Sequence, residues 1–232
     1  METICISLGG SVISRRNGVN VSYVKKLSSL LKEYRRKYKF ILTVGGGYAN
    51  KLYVKSSRQV IKNHLVLDEI GIAITRINAL ILKDLISDLD VYPNIVTDLD
   101  ELRMAASTSG IVVLGGLLPG ISTDAVAVLG CEVVNSKMLI NVSSDAYVYD
   151  RPPGEKGARK LERITHDKMV EIASKYDTRV AKSNFVFDLV ASKLVKRANI
   201  EVMFINDDIR QLKLAIENKP HQGTIVKTEV MH

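Results

Sequence analysis

Only two cysteines, Cys5 and Cys131, occur in the 232 residues, too few and too far apart for a disulfide framework or a zinc cluster. Cys5 falls in a strand-like run and Cys131 in a helical one, as expected of small core residues. The four histidines, His64, His166, His221 and His232, are scattered without ligand spacing; each reads as a surface residue rather than a metal ligand or catalytic base. No apolar run approaches the roughly 18 residues of a membrane helix. The opening METICISLGG reads as strand and turn, not as a basic leader followed by an apolar signal. A cytoplasmic protein independent of membranes is the expectation. Also missing are the dinucleotide fingerprint GxGxxG, the phosphate loop GxxxxGK[ST] and the nucleophile elbow GxSxG. Their absence removes the standard phosphate motifs and argues against acyl transfer. Solenoid-period repeats and low-complexity tracts are absent as well.

The charge balance is basic, with a formal net charge of +8, which favours phosphorylated partners. Basic residues gather in Arg15-Arg16, Lys25-Lys26 and Arg35-Arg36-Lys37. No interleaved aromatic pattern accompanies them, so they read as solvated faces and not as a nucleic-acid surface. A hydrophobic content of 46% is enough for a full core, in one large α/β domain or two small lobes.

Short β-rich runs at Ile4 to Leu8, Phe40 to Val44, Ile111 to Leu114, Met138 to Val142 and Ile200 to Ile205 alternate with helical patterns. Continuous apolar runs of this kind suit strands buried on both faces. Tyr23, Leu27, Leu30, Leu31 and Tyr34 form one stripe at helical spacing, with Lys25, Lys26, Lys32 and Arg36 off it. Further helices are predicted over Tyr48 to Asn63, Asp68 to Ile86, Thr123 to Val134, His166 to Tyr176, Phe185 to Ala198 and Asp207 to Asn218. The alternation predicts an α/β fold with a mostly parallel central sheet between helical layers, where ligands gather at the carboxyl ends of the strands. The one break in composition, RPPGEKGARK at Arg151 to Lys160, reads as a mobile loop or as a hinge between halves.

Glycine clusters follow three of the strands: SLGGSV, TVGGGYAN and VVLGGLLPG. Three such turns at strand ends point to a shared phosphate-binding floor. The third continues as LGGLLPGISTDAVAV, Leu114 to Val128. Its bland reading is a turn followed by a Ser-Thr-Asp helix cap; its sharp reading is an anion site at a helix start. The remaining chemistry suits phosphoryl transfer between two bound anions, which asks for backbone N–H groups, basic side chains, Mg²⁺ and a carboxylate near the metal. Asp124 is the leading carboxylate, its alternative role being that of a first-turn acid.

Taken together the motifs resemble the amino acid kinase family, in its archaeal uridylate kinase branch. The matching blocks are SLGGSV, VGGGYANKLY, LDEIGIAITRINALIL, GGLLPGISTDAVAV, VYD, FDLVASKLVKRANI and QGTIV, which cover nearly the whole chain in family order. The resemblance implies a three-layer α/β/α sandwich and the reaction of ATP and UMP to ADP and UDP with Mg²⁺. It implies one domain over 1–232, with the acceptor part at about 1–135 and the ATP part at about 136–232, assembled as a homohexamer. Carried over by position, Gly46, Asp68 and the loop Leu117, Leu118, Pro119, Gly120, Ile121, Ser122 and Thr123 bind UMP, with Asp68 on the ribose and Thr123 on the base. Gly9, Gly10, Ser11, Gly47, Lys51, Ser143, Ser144, Tyr149 and Pro152 bind ATP, while Asp124 and Lys51 serve catalysis; no residue is assigned as a metal ligand. The chain departs from the family pattern at Ser7, where many members carry lysine. It departs again at Ala146, Tyr147 and Pro152 on the adenine side, at Leu117, Leu118 and Ile121 in the acceptor loop, and at Leu189, where a proline is usual.

Overall fold

The computed structural model describes residues 1–176 and 187–228. The chain opens with β1 (Glu2–Leu8), the short helix α1 (Gly10–Ile13) and a small hairpin of β2 (Ser14–Arg15) and β3 (Gly18–Val19). There follow α2 (Val21–Tyr34), β4 (Tyr38–Val44), α3 (Gly47–Ser57), α4 (His64–Leu85), α5 (Leu99–Thr108), β5 (Ile111–Leu114), α6 (Thr123–Val133) and β6 (Met138–Ser143). A second hairpin of β7 (Val148–Tyr149) and β8 (Lys160–Leu161) precedes β9 (Arg163–Ile164), α7 (His166–Tyr176), α8 (Leu189–Ala198), β10 (Glu201–Asn206), α9 (Ile209–Ile216) and β11 (Thr224–Val226).

Seven strands form one sheet in the order β5-β4-β1-β6-β10-β11-β9. Every pairing in it is parallel except that of β10 with β11. Period-two alternation sorts the strand side chains onto two faces. Ile4, Ile6 and Leu8 of β1, Phe40, Leu42 and Val44 of β4, and Ile140 and Val142 of β6 join a core that includes Val24, Leu27 and Leu31 of α2, Leu82 of α4 and Leu212 of α9. Cys5, Ile41, Leu139 and Phe204 face the other way, onto Leu102 of α5, Val128 and Cys131 of α6, Met169 of α7 and Val195 of α8. The result is a three-layer α/β/α sandwich. The sheet grows from β1 to β4 and β5 in one direction, and from β6 to β10 in the other. The crevice between β1 and β6 is therefore the place where such a sheet receives a ligand.

Both cysteines are buried and free. The α2 stripe is buried throughout. Among the described residues no helix is long and apolar enough to cross a membrane. Several boundaries and roles differ from those read in the sequence. The segment 151–160 connects the paired strands β7 and β8 as the loop of a hairpin. Helix α5 is absent from the sequence reading because its apolar stripe is reduced to two buried residues, Leu102 and Ala105. Its start was nevertheless marked, since Asp98 Oδ1 accepts from Glu101 N at 2.8 Å and Glu101 Oε2 accepts from Thr97 N at 2.9 Å, a local cap that needs no stripe. Strands β9 and β11, of two and three residues, are too short to show a period. His166 is not a surface residue: it is buried at the head of α7, with Nε2 paired to the Ile200 carbonyl oxygen at 2.8 Å. The first two residues of the helix predicted from Phe185, and His232, lie outside the described residues.

The turns leaving β1 and β4 touch backbone to backbone. A Cβ on Gly10 would lie 1.8 Å from the Gly47 nitrogen, and one on Gly47, which has a φ of +61°, would lie 2.2 Å from the Gly10 carbonyl oxygen. Gly10→Ala is expected to cost roughly 3 kcal/mol or more, because neither partner atom is a side chain that can move aside. Gly154→Ala, at a site with nothing within 4 Å, should stay within about 0.5 kcal/mol of the parent. Paired denaturant titrations of the two variants check the contrast.

Candidate active site

Period two places Ser7 on the same sheet face as Cys5, and Asn141 on the same face as Leu139. The two are register partners on adjacent strands. Helix α6 covers that face, and its first-turn acid, Asp124, sits above them. Ser7 Oγ donates to Asp124 Oδ1 at 2.8 Å, and Asn141 Nδ2 donates to the same oxygen at 2.7 Å. Ser122, and not Asp124, caps the helix, its Oγ accepting from Ala125 N at 3.0 Å. The Ser122 hydroxyl also donates to Asp188 Oδ2, while Asp188 Oδ1 caps α8 through Ala191 N at 3.0 Å. Burial raises the pKa of Asp124 from 3.8 to about 6; the Asp188 carboxylate adds to the rise, and the Ser7 and Asn141 hydrogen bonds oppose it.

Two cavities open at the carboxyl edge of the sheet. The first, of about 460 Å³, is lined by Gly46, Asn50, Val54 and Arg58, by Asp68, Gly71 and Thr75 of α4, by Leu118 and the stretch Gly120 to Thr123, and by Asp188. The second, of about 670 Å³, is lined by Gly10, Ser11, Ser14, Arg15, Arg16, Gly47, Tyr48, Lys51, Asp124, Ser144 and Asp207. They divide between neighbouring residues. Gly46 faces the first and Gly47 the second; Thr123 faces the first and Asp124 the second. Helix α3 is the partition. Asn50, Val54 and Arg58 follow Gly46 in steps of four and line the first cavity, whereas Lys51, one residue and about 100° further round, lines the second.

Helix α4 fixes the floor from below. Asn78, which is buried, donates through Nδ2 to the carbonyl oxygens of Gly45 at 2.8 Å and Gly46 at 3.1 Å. Thr75 Oγ1 accepts from Gly116 N at 2.7 Å, and Arg76 Nε donates to Gly116 O at 3.2 Å. Asp68 Oδ2 accepts from Gly120 N at 2.8 Å, which draws the Pro-Gly turn over the first cavity. Asn50 Oδ1 is buried beside that cavity with no hydrogen-bond partner among the described residues, an acceptor that a ligand donor would satisfy.

Of the residues predicted from sequence, Gly46, Asp68, Leu118, Gly120, Ile121, Ser122 and Thr123 line the first cavity. Gly10, Ser11, Gly47, Lys51, Ser144 and Asp124 line the second. Leu117 and Pro119 turn instead into an apolar groove beside Ile77 and Leu80 of α4. Gly9, Ser143, Tyr149 and Pro152 line none of these cavities. The Gly9 amide donates to Val142 O at 2.7 Å, so it ties β1 to β6 and the donors of that turn begin at Gly10. Ser143 Oγ donates to Asp145 O at 2.5 Å, and Tyr149 pairs with Lys160 in the β7–β8 hairpin. Among the lining residues of the second cavity, only Ser144 and Asp207 come from beyond residue 135. Sequence reasoning missed Arg58, Asp188, Asn78, Arg15 and Asp207. Arg58 was legible as the next member of the Gly46, Asn50, Val54 row, and Asp188 as the acid heading the FDLVASKL block.

The model of the amino acid kinase family matches residues 2–206. The chain belongs to the amino acid kinase family. It is 34% identical over 227 residues to the uridylate kinase of Thermoplasma volcanium, covering 97% of this chain and 98% of that one. With the uridylate kinase of Thermococcus sibiricus it shares 32% over 226 residues, covering 97% and 99%. The crystal structure of uridylate kinase from Archaeoglobus fulgidus superposes with a TM-score of 0.84 at 29% identity, covering 97% of this chain and all of that one. The UMP kinase of Ureaplasma parvum, at 19% identity and a TM-score of 0.77, shares the fold.

The raised pKa of Asp124 carries a stability cost of definite sign. An acid whose folded pKa lies above its unfolded value stabilises the fold fully below pH 3.8, and that contribution is lost as pH rises through about 6. A shift of about two units corresponds to up to about 3 kcal/mol at neutral pH. Asp124→Asn keeps an acceptor for Ser7 and Asn141 without the charge. Relative to the parent it should gain about 1 kcal/mol between pH 5 and pH 8, read from denaturant titrations at the two pH values.

Proposed function

We propose that this chain is a uridylate kinase, transferring the γ-phosphoryl group of ATP to UMP to give UDP and ADP in pyrimidine nucleotide synthesis. One observation carries the reading: two cavities floored by glycine turns meet edge to edge at Gly46 and Gly47 and at Thr123 and Asp124. Such an arrangement sets two anions end to end. A phosphate oxygen of UMP attacks the γ-phosphorus in line, the bond to the β-bridging oxygen breaks, and ADP leaves with the electron pair. The acceptor phosphate needs no base to remove a proton, so the protein positions the groups and neutralises charge.

In this reading the first cavity takes UMP. Its phosphate lies at the shared edge beside Gly46 and Thr123, and Asp68 holds the ribose with the oxygen left by Gly120. The second cavity takes the ATP phosphates on the amides of Gly10, Ser11 and Gly47, with Lys51 beside them and Ser144, Ser143, Tyr149 and Pro152 toward the adenosine. Among the described residues no group of three or more His, Cys, Asp or Glu is arranged to hold a metal. Asp124, whose Oδ1 is the oxygen bound to Ser7 and Asn141, would meet a Mg²⁺ ion brought with the nucleotide. The ion would offset charge on the transferring phosphoryl group. A cytoplasmic homohexamer completes the proposal. Ile77 and Leu80, 57% and 52% exposed beside the apolar groove of α4, supply surface for a neighbouring copy.

ADP release in a panel of acceptors tests the assignment. UMP should support turnover, while carbamate, a carboxylate and an isoprenoid phosphate should not; nucleotide binding without turnover on any of them would sink it. Within that assay Asp124→Asn should lower kcat at least about 100-fold and leave KM for UMP within a few-fold, because its charge acts on the transferring group. The parent kcat/KM for ATP should also fall as pH drops through about 6, the value to which burial raises this carboxyl in the empty site.

A further inference from the structure

The second cavity contains an ion pair that the phosphoryl-transfer machinery does not use. Arg15, on the β2–β3 hairpin, donates through Nη2 to Asp207 Oδ2 at 2.6 Å, and both residues line the cavity beside Gly10, Gly47, Lys51 and Asp124. The hairpin that carries Arg15 is anchored at its base. Asn20 N donates to Ile13 O at 2.8 Å, Asn20 Nδ2 donates to Val12 O at 3.0 Å, and Ser14 Oγ accepts from Ala49 N at 3.3 Å in the first turn of α3. The Arg15 backbone is thus held next to the glycine floor, while its side chain remains 54% exposed.

Asp207 has little other work. The neighbouring Asp208 caps α9, its Oδ1 accepting from Arg210 N at 3.0 Å, and it forks the Arg210 guanidinium. Asp207 faces the cavity at the end of β10, and its negative charge adds to the burial that keeps the Tyr23 phenol un-ionised. A half-exposed ion pair of this kind is weakly held. A polyphosphate offers several negative charges and oxygen pairs that match the guanidinium fork, so it competes well for Arg15 against one carboxylate.

We propose that Arg15 is a donor-phosphate residue masked by Asp207: the polyphosphate of the incoming nucleotide takes the Arg15 guanidinium from the Asp207 carboxylate. Before the exchange the cavity presents Arg16 and Lys51 as open cations against two carboxylates. Afterwards a third cation faces the nucleotide, and Asp207 is left at the rim. The inference rests on the assignment of ATP to the second cavity.

The test is the affinity for ATP with Mg²⁺, by calorimetry and as KM at saturating UMP, of the parent, Arg15→Gln, Asp207→Asn and the double variant, each checked for a parent-like melting curve. Arg15→Gln should weaken ATP binding about tenfold and leave KM for UMP unchanged, a loss typical of one charge-assisted phosphate contact. Asp207→Asn should tighten ATP binding several-fold, and by clearly less once Arg15 is Gln, where only the repulsion of the carboxylate is relieved. Arg15→Lys, which keeps the charge without the fork, should fall between the parent and Arg15→Gln. A pair that merely tethers the hairpin is lost equally in both single variants, so effects of the same sign, or an unchanged Arg15→Gln, would overturn the inference. Lys51→Ala separates this failure from that of the site assignment. If removing Lys51 leaves ATP affinity unchanged, the donor does not occupy this cavity; if Lys51→Ala weakens it and Arg15→Gln does not, the masking alone is wrong.

Discussion

The contact between the turns after β1 and β4 governs the rest of the site. Two loops that cross with a Cβ position 1.8 Å from a backbone nitrogen can meet only where neither carries a side chain. Because they meet, α1 and α3 start from adjacent points, and their first residues line one cavity. The same contact sets the rotation of α3 about its axis. Gly46 and the Asn50, Val54, Arg58 row then fall to one side, and Gly47 and Lys51 to the other. Two cavities with a common wall follow from one steric requirement, not from two separately built pockets.

Helix α4 makes that arrangement durable. A glycine floor has no side chains with which to hold itself, and its buried carbonyl groups still need donors. Asn78 serves two of them, while Thr75 and Arg76 serve both backbone groups of Gly116. Each bond contributes about 1 kcal/mol net, but loss of one partner leaves a buried group unsatisfied at about 1–3 kcal/mol. The floor is therefore positioned by a 22-residue helix packed on the sheet, which is a stiffer support than a loop resting on other loops.

How much of this could be read in the sequence depended on whether a feature was local. The strands buried on both faces, the α2 stripe and the glycine turns are runs of adjacent or regularly spaced residues, and they were legible. The cavity walls also divide between Gly46 and Gly47. Helix α5 was missed because two buried residues make no stripe, and His166 was misread because nothing next to it announces the Ile200 carbonyl 34 residues away. The Ser7, Asp124 and Asn141 cluster joins three elements through sheet register, and the Arg15 and Asp207 pair spans 192 residues. Register and long-range pairing appear only once the chain is folded.

The charges of the second cavity differ in how firmly they are held. The amides of Gly10 and Gly47 are fixed by the crossing of the turns, and Asp124 by two hydrogen bonds to one oxygen. The cations, Arg15, Arg16 and Lys51, sit on long arms. A fixed dipolar floor needs no reorganisation when charge shifts along the transferring group, whereas mobile cations can follow a phosphate as it enters and leaves. Holding Asp124 ionised at neutral pH works against the fold, since burial and the Asp188 carboxylate both oppose the charge. A cap would not require this, because Ser122 already caps the helix. The helix it begins therefore does not account for the carboxylate, which in the proposed function acts on the transferring phosphoryl group.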